Sequence, residues 1–491
     1  MEGQMRTSTF DVAIIGAGIA GLAAAISMRR SGHDVTVYER SSFKMEVGAA
    51  INMPPQAVRI MRAWDLPTPM TSTEEHTLGQ REPRSDHSQQ STFGGTILSG
   101  TQRVNFKTGQ PMPGQKFDEI AEQYGAPFVS YHRADLHALL RTKAEELGAH
   151  IRLKSNVVDI DCRAGALSLS KDDASLEEIK HDLLIIADGI NTSFILHAVG
   201  HDVPLNREGR MCFRTLIPTS KILANKKACS LYTSEDGAMT GFDGVSGSMN
   251  PQTGVMFIQY PCRGGELMNV AVFDKPREDR VHKEDWNSPA TIEDALEPLS
   301  GFHEGFRALV RCADGMRAFT IALREPLPTY VNGRAVLIGD AAHPMLPSLA
   351  GGGSTSLEDA ATLGVLFSDV SQDASLETVT SRLALYNAVR RPRDATQQVI
   401  SNTMFKPQPA SSLKDKIGDF YGGHLPDKVL GGWTKETCEF VCGYDVFVET
   451  EKAMRWAEER QWKDIDVLPD GLVQHFGDVK VAGLEENVRA F

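Results

Sequence analysis

The chain has 491 residues, 41% of them apolar and 23% charged, with a formal net charge of −13. That length leaves room for about three folding units. The acidic balance argues against nucleic-acid or anionic-membrane partners, which require clustered positive charge. Seven scattered cysteines do not make a disulfide framework and fit a reducing, cytoplasmic setting. Cys438 and Cys442 share one helix face, but with no His beside them they make a poor zinc site, and no metal is expected. The first ten residues lack the apolar stretch of a signal peptide, and no run of about 18 apolar residues predicts a membrane span.

Residues 10–15 are an apolar, β-branched run, as in a strand buried on both faces. Gly16 ends it. Residues 17–30 predict a helix that Gly32 stops. Residues 33–38 predict a second strand closing at Glu39, which completes one βαβ unit. Pro54 and Pro55 open a helix running through Trp64. Residues 70–120 are polar and predict loops and short strands. A helix is expected over 133–147, stopped by Gly148, then strands at 151–160, 165–170 and 182–187. Between 205 and 275 the pattern alternates, with strands at 211–217, 254–260 and 267–273, and predicts a separate antiparallel sheet. Residues 335–338 form another buried parallel-type strand, which runs into a Gly-rich loop and a helix over 355–370. A long helix is expected over 376–404, and residues 405–491 read as an appended extension.

Two motifs carry the chemistry. Gly16, Gly18 and Gly21 form G-x-G-x-x-G between a strand and a helix. The first permits a tight turn, the second lets a pyrophosphate approach the backbone, and the third lets helix pack on strand. The free N–H groups at the helix start receive the phosphates. The dipole alone contributes only about 0.3–1 kcal/mol, so several N–H bonds must act together. Glu39 can accept both ribose hydroxyls of an adenosine and would repel a 2′-phosphate, which leaves FAD or NAD. The second motif, GDAAHP at 339–344, follows the strand at 335–338. Asp340 at that strand end suits a ribityl chain. Gly351, Gly352 and Gly353 then precede a helix whose N-terminus would stabilise negative charge on a reduced flavin ring. One long ligand, FAD, accounts for both sites.

These motifs resemble the class A flavoprotein aromatic monooxygenases, which share the para-hydroxybenzoate hydroxylase fold, and most of all the fungal salicylate-hydroxylase-like members. The resemblance covers residues 10–400. It rests on GAGIAG with Glu39-Arg40, VGAAINMPPQAVRIM at 47–61, HRADLHALL at 132–140, DLLIIADGI at 182–190, CFRTLIP at 212–218, YPCRGGELMNVAVF at 260–273 and REPLPTYVNGRAVLIGDAAHPMLP at 324–347. It implies an α/β fold: a Rossmann-type FAD-binding domain (8–70, 130–200 and 318–400), an inserted, mainly antiparallel β-sheet substrate domain (71–129 and 201–317), and a C-terminal helical extension (401–491).

The resemblance also implies roles. Arg133 would reach the FAD pyrophosphate, with Arg40 near the adenosine. Asp188 and Gly189 would serve both FAD and a transient NADH or NADPH. Asp340 would hold the ribityl chain, and Pro344, Gly352 and Gly353 would lie along the flavin. The implied reaction uses NAD(P)H and O2 to form a flavin C4a-hydroperoxide that hydroxylates a phenolic or other aromatic small molecule, in secondary metabolism. An FAD oxidase or dehydrogenase of the same fold is the alternative, as is epoxidation of an indole alkaloid or alkene. A phenol with a pKa of about 10 is a poor nucleophile until ionised. A nearby cation lowers such a value by roughly 1–3 units, and Arg214 is the candidate for that role. Tyr232 and Tyr260 are candidate substrate contacts. A monomer or homodimer is expected. Two departures stand out. Ile195 replaces the Arg usual six residues beyond the Gly of DGI. Gly351-Gly352-Gly353-Ser354 replaces Gln-Gly-x-Asn, so two amides that would meet the flavin are missing.

Overall fold

The computed structural model describes residues 10–43, 49–71, 95–171, 175–233, 239, 241–275, 288–403, 410–418, 433–469 and 471–473. Expectations for the rest of 70–120 and of 405–491 lie outside the described residues.

The βαβ unit forms as Asp11–Ile15, Ile19–Arg30 and Asp34–Glu39. The apolar, β-branched character of residues 10–15 follows from position. Asp11–Ile15 lies inside a six-stranded sheet, parallel to Leu183–Ile186 on one side and Asp34–Glu39 on the other. Ala335–Leu337 continues the sheet beyond Leu183–Ile186, and His150–Leu153 beyond Asp34–Glu39. The Ile19–Arg30 helix is buried along most of its length between the Gly351–Phe367 and Arg133–Glu146 helices, so it shows no clean polar face.

The alternating region forms an eight-stranded, mainly antiparallel sheet built around Asn206–Pro218, Leu267–Asp274, Met256–Cys262 and Met316–Leu323. Period two sorts its faces. Met211, Phe213, Val270, Val272 and Phe257 pack with Phe306 and Leu309 of the Glu304–Val310 helix. The opposite face carries Cys212, Ala271, Phe273 and Ile321, which close on Leu346 just beyond the GDAAHP motif. This second face is therefore turned toward the dinucleotide-binding unit.

Several boundaries differ from expectation. The 151–160 run is two strands, His150–Leu153 and Asn156–Asp161, parted where Lys154 takes a φ of +54°. The 254–260 strand runs instead over Met256–Cys262. Met316–Leu323 pairs with Asn206–Pro218, so the return to the first sheet comes after Leu323 rather than at 318. The C-terminal region is helical as expected, over Ala410–Gly418, Lys435–Cys442 and Val446–Glu459. It is not an appendage: Tyr444, Val446, Ala453 and Ala457 belong to the main core. The Arg59 guanidinium donates to the carbonyls of Cys442 and Tyr444, at 3.0 and 2.8 Å. No helix among the described residues is long and apolar enough to cross a membrane.

Candidate functional site

The first glycine turn is as tight as its spacing requires. Gly16 has a φ of +100°, and a Cβ there would lie 2.6 Å from the Ala187 carbonyl oxygen. A Cβ on Gly21 would fall 1.9 Å from the Gly16 oxygen, so only glycine lets the helix close on the turn. Gly18, the residue before the Ile19–Arg30 helix, faces open space. No side chain caps that helix and no acid stands in its first turn, so its N–H groups and dipole are left for a phosphate. The Glu39 carboxylate is fixed by backbone donors, Ala17 N at 2.8 Å and Ser41 N at 2.7 Å. Each oxygen keeps lone-pair capacity for a ribose hydroxyl. Arg40 beside it is exposed.

Asp188 adjoins this turn; a Cβ on Gly16 would be 2.9 Å from its Cα. Burial pushes its carboxyl up to about 6, against hydrogen bonding from Thr192 and the charges of Arg40 and Arg324. Its Oδ1 is buried with no partner among the described residues. A buried orphan acceptor beside an open glycine turn fits a ligand donor. Ile195 is buried at the start of the short Ile195–Val199 helix. Arg324, buried nearby, donates to the Ile190 carbonyl at 3.2 Å.

The second turn rests on the first, since a Cβ on Gly339 would be 2.7 Å from the Ala20 Cβ. One ligand can therefore reach both. Asp340 lies deep in the protein yet keeps solvent-facing surface, as on the floor of a cleft. Burial raises its pKa, while Arg133 and His343 oppose the rise. Arg133 opens the Arg133–Glu146 helix, its N–H held by the Ala49 carbonyl at 2.7 Å. Gly352 neighbours Asp340: its Cβ would sit 3.7 Å from Asp340 Oδ1. Pro344 is buried, and its carbonyl accepts from Gln398 Nε2 at 3.0 Å.

The glycine triplet corrects one expectation. Gly351, Gly352 and Gly353 are the first turn of a helix, Gly351–Phe367, rather than a loop before a helix at 355–370. Ala350, with a φ of +52°, turns the chain into it. The Thr355 and Ser356 hydroxyls donate back to the Gly351 and Gly352 carbonyls, at 2.9 and 2.7 Å, and secure that turn. At the start of a helix these glycine N–H groups have no intrahelical acceptor, and Gly352 stands beside Asp340.

The sheet brings a third group to the same place. Arg214 alternates with Cys212 on the face turned toward the second turn, between Ala271 and Arg317 in register. Its guanidinium lies 4.9 Å from the Phe319 ring centroid. Burial lowers its pKa, and among nearby charges Arg133 pulls the same way while Cys212 and Tyr260 oppose. Tyr260 shares this face, and its hydroxyl donates to the Ala50 carbonyl at 3.0 Å. Tyr232 does not. It lies on the far side of the sheet, wholly buried, its hydroxyl given to Gln259 Oε1 at 2.5 Å. Sequence reading took an aromatic near the substrate sheet as a contact, and the pleat puts that ring in the core. A residue it missed is Asn269, directly across from Tyr260, whose Oδ1 accepts from Ala50 N at 3.2 Å. A polar residue at an inward position of an apolar strand was the available signal.

Asp340→Ala is expected to weaken FAD retention by roughly ten- to a hundred-fold, the loss of charge-assisted hydrogen bonds worth about 1.5–3 kcal/mol. The yellow complement left after dialysis reports it, and full retention would remove Asp340 from the site.

The FAD binding domain family matches residues 9–403. A hispidin-3-hydroxylase of Neonothopanus nambi is 29% identical over 465 residues, 91% of this chain and 96% of that protein. FAD-dependent monooxygenase cfoG of Aspergillus candidus is 31% identical over 400 residues, 80% of this chain and 84% of its own. In fold, the chain matches a solved salicylate hydroxylase substrate complex with a TM-score of 0.61, over 94% of this chain and 99% of that one, at 21% identity. With glycine turns built for a dinucleotide and relatives of this extent, the chain belongs to the FAD-dependent monooxygenases of the FAD binding domain family.

Proposed function

We propose that the protein hydroxylates a phenolic or other aromatic small molecule in the cleft between the Asp340 turn and the sheet face bearing Arg214 and Tyr260. One observation supports this reading: Tyr260 and Asn269 of the sheet bond to Ala50, whose neighbour Ala49 holds the Arg133 N–H, so the sheet face meets the start of the helix that bears Arg133.

FAD, reduced by NADH or NADPH, supplies the activation of O2. Gly16, Gly18 and Gly21 with Arg133 would hold the pyrophosphate, and Glu39 would hold the adenosine ribose, with Arg40 and Asp188 nearby. Asp340 would take the ribityl chain, and Pro344 with the Gly352 and Gly353 N–H groups would hold the ring. Arg214 stabilises the ionised phenol, which makes the ring carbon nucleophilic. Tyr260 contributes its ring as a wall, because its hydroxyl is already committed to Ala50. Leu349, Phe117, Phe128 and Phe440 cluster with Tyr260 and keep water from that side. The names of the hispidin and salicylate hydroxylases support an aromatic substrate.

The test mixes purified holoenzyme with NAD(P)H, isotopically labelled dioxygen and a panel of phenols. Label in a hydroxylated product is expected. Peroxide release across the panel with no incorporation would instead make the protein an oxidase.

A further inference from the structure

Asp135 in HRADLHALL and Arg263 in YPCRGGELMNVAVF meet across 128 residues of chain. Arg263 stands at the tip of the hairpin formed by Met256–Cys262 and Leu267–Asp274, and Asp135 in the first turn of the Arg133–Glu146 helix. The Arg263 guanidinium donates to both Asp135 oxygens, Nε to Oδ2 and Nη2 to Oδ1, each at 2.6 Å. This is the forked geometry in which a guanidinium holds a carboxylate most firmly. The Asp135 side chain is only 13% exposed, so water competes little for it. His132 Nδ1 lies 3.5 Å from the same carboxylate and 3.4 Å from Arg263 Nη2.

The backbone of the tip points the same way. Arg263, Gly264 and Gly265 take φ of +50°, +64° and +88°. Glycine enters the left-handed region freely, as at the second and third positions, whereas arginine is strained there by its Cβ. Such strain persists where surrounding contacts enforce it, and the contact at this residue is the fork to Asp135. Gly264 N adds a bond to Thr96 Oγ1 at 2.8 Å, on a strand that pairs with Val129–His132. The hairpin grips the cofactor unit a second time at Ala50, through Tyr260 and Asn269, which lie opposite each other in register. Ala50 pairs with His132, and Ala271, two residues along from Asn269, pairs with Arg214. The two grips together set the sheet face that carries Arg214 against the helix that carries Arg133.

We propose that Arg263 and Asp135 form a latch that positions the substrate sheet on the cofactor unit, so that an aromatic ring held by Arg214 is presented at reacting distance. Both are positioning residues, acting through the hairpin, and the proposal rests on hydroxylation at the Arg214 face. A displacement of about 1 Å at the reacting atoms costs up to about 100-fold in rate. With the latch released, more of the NAD(P)H oxidised ends as hydrogen peroxide and less as hydroxylated ring.

The test uses FAD-loaded Arg263→Gly, Arg263→Lys, Asp135→Asn and the double variant Arg263→Gly/Asp135→Asn. Arg263→Gly removes the fork and the strained backbone together, so it should not lower the melting temperature. Hydrogen exchange of the 260–269 amides is expected to quicken about ten-fold, the loss of a charge-assisted pair partly screened by solvent. With a phenol that wild type hydroxylates, product formed per NAD(P)H oxidised also falls about ten-fold, and Arg263→Lys recovers part of it. Asp135→Asn matches Arg263→Gly, and the double variant adds nothing, because each removes the same interaction. Where Arg263→Gly proves unstable, Asp135→Asn, which leaves the hairpin sequence intact, is read instead. Unchanged exchange overturns the latch. Faster exchange with unchanged product per NAD(P)H overturns its positioning role and leaves a structural bond only. If wild type hydroxylates no phenol, the proposed function fails, while the exchange result still decides whether the latch exists.

Discussion

An Arg390→Met variant is expected to lose about 3–5 kcal/mol of stability, the usual cost of removing one partner from a buried ion cluster. Arg390 is completely buried and donates to Asp359 Oδ1 at 3.0 Å, Glu358 Oε2 at 2.8 Å and Asp394 Oδ1 at 2.5 Å. Arg393 shares Glu358 and also donates to the Phe440 carbonyl at 2.7 Å, which ties in the C-terminal helices. Three carboxylates, two guanidiniums and the His343 imidazole are neutral when they share one proton. Burial and the nearby Asp359 hold Asp394 well above the usual carboxylate range. Burial would also raise Asp359, but His343 and Arg390 bring it below that range. His343 is lowered by burial, but Asp359 and Asp394 outweigh this and lift it to about 9. Without Arg390 the cluster carries uncompensated negative charge in a dry interior, and methionine fills the volume without neutralising it. Thermal unfolding of FAD-saturated protein measures the effect. An unchanged melting temperature would mean that desolvation had cancelled the attraction. A linked pH effect follows from His343, whose folded pKa is raised. Its contribution is complete below the free value of 6.5 and is lost as pH rises through about 9, so His343→Gln should flatten the stability profile across that window.

Arg214→Ala is expected to slow ring hydroxylation by roughly 10- to 1,000-fold, the equivalent of the 1–3 pKa units a close cation takes off an acid. Flavin reduction by NAD(P)H should change little, because the residue sits on the sheet face and not on the cofactor turns. The pH profile separates this role from a packing role. Without the Arg214 cation the phenol returns toward its own pKa of about 10, so the variant should recover rate as pH rises while wild type stays flat. Rapid-mixing measurements of the two half-reactions decide it. Equal slowing of reduction and hydroxylation, or no recovery at high pH, would remove Arg214 from substrate ionisation.

The cluster around Arg390 also shows why part of the site was hidden. Asp359 accepts from Gly339 N at 3.0 Å and lies 2.7 Å from His343 Nε2, so it closes the GDAAHP turn from a different helix. No motif announces that contact. Tyr232 erred the other way: its ring chemistry suggested a substrate contact, and only the sheet's pleat shows which face it serves.

What the sequence determined by itself was the local chemistry of the backbone. Gly21 must be glycine because its own turn leaves no room for a Cβ, Gly16 takes the positive φ that the turn demands, and the βαβ order around them follows from short-range pattern. Arg133, Asp340 and Arg214 are far apart in the chain, and only the packing of the large sheet against the cofactor unit brings them near one another. Contacts across long loops depend on volumes and facing directions that no local pattern encodes, whereas a tight turn is decided by the few atoms within it.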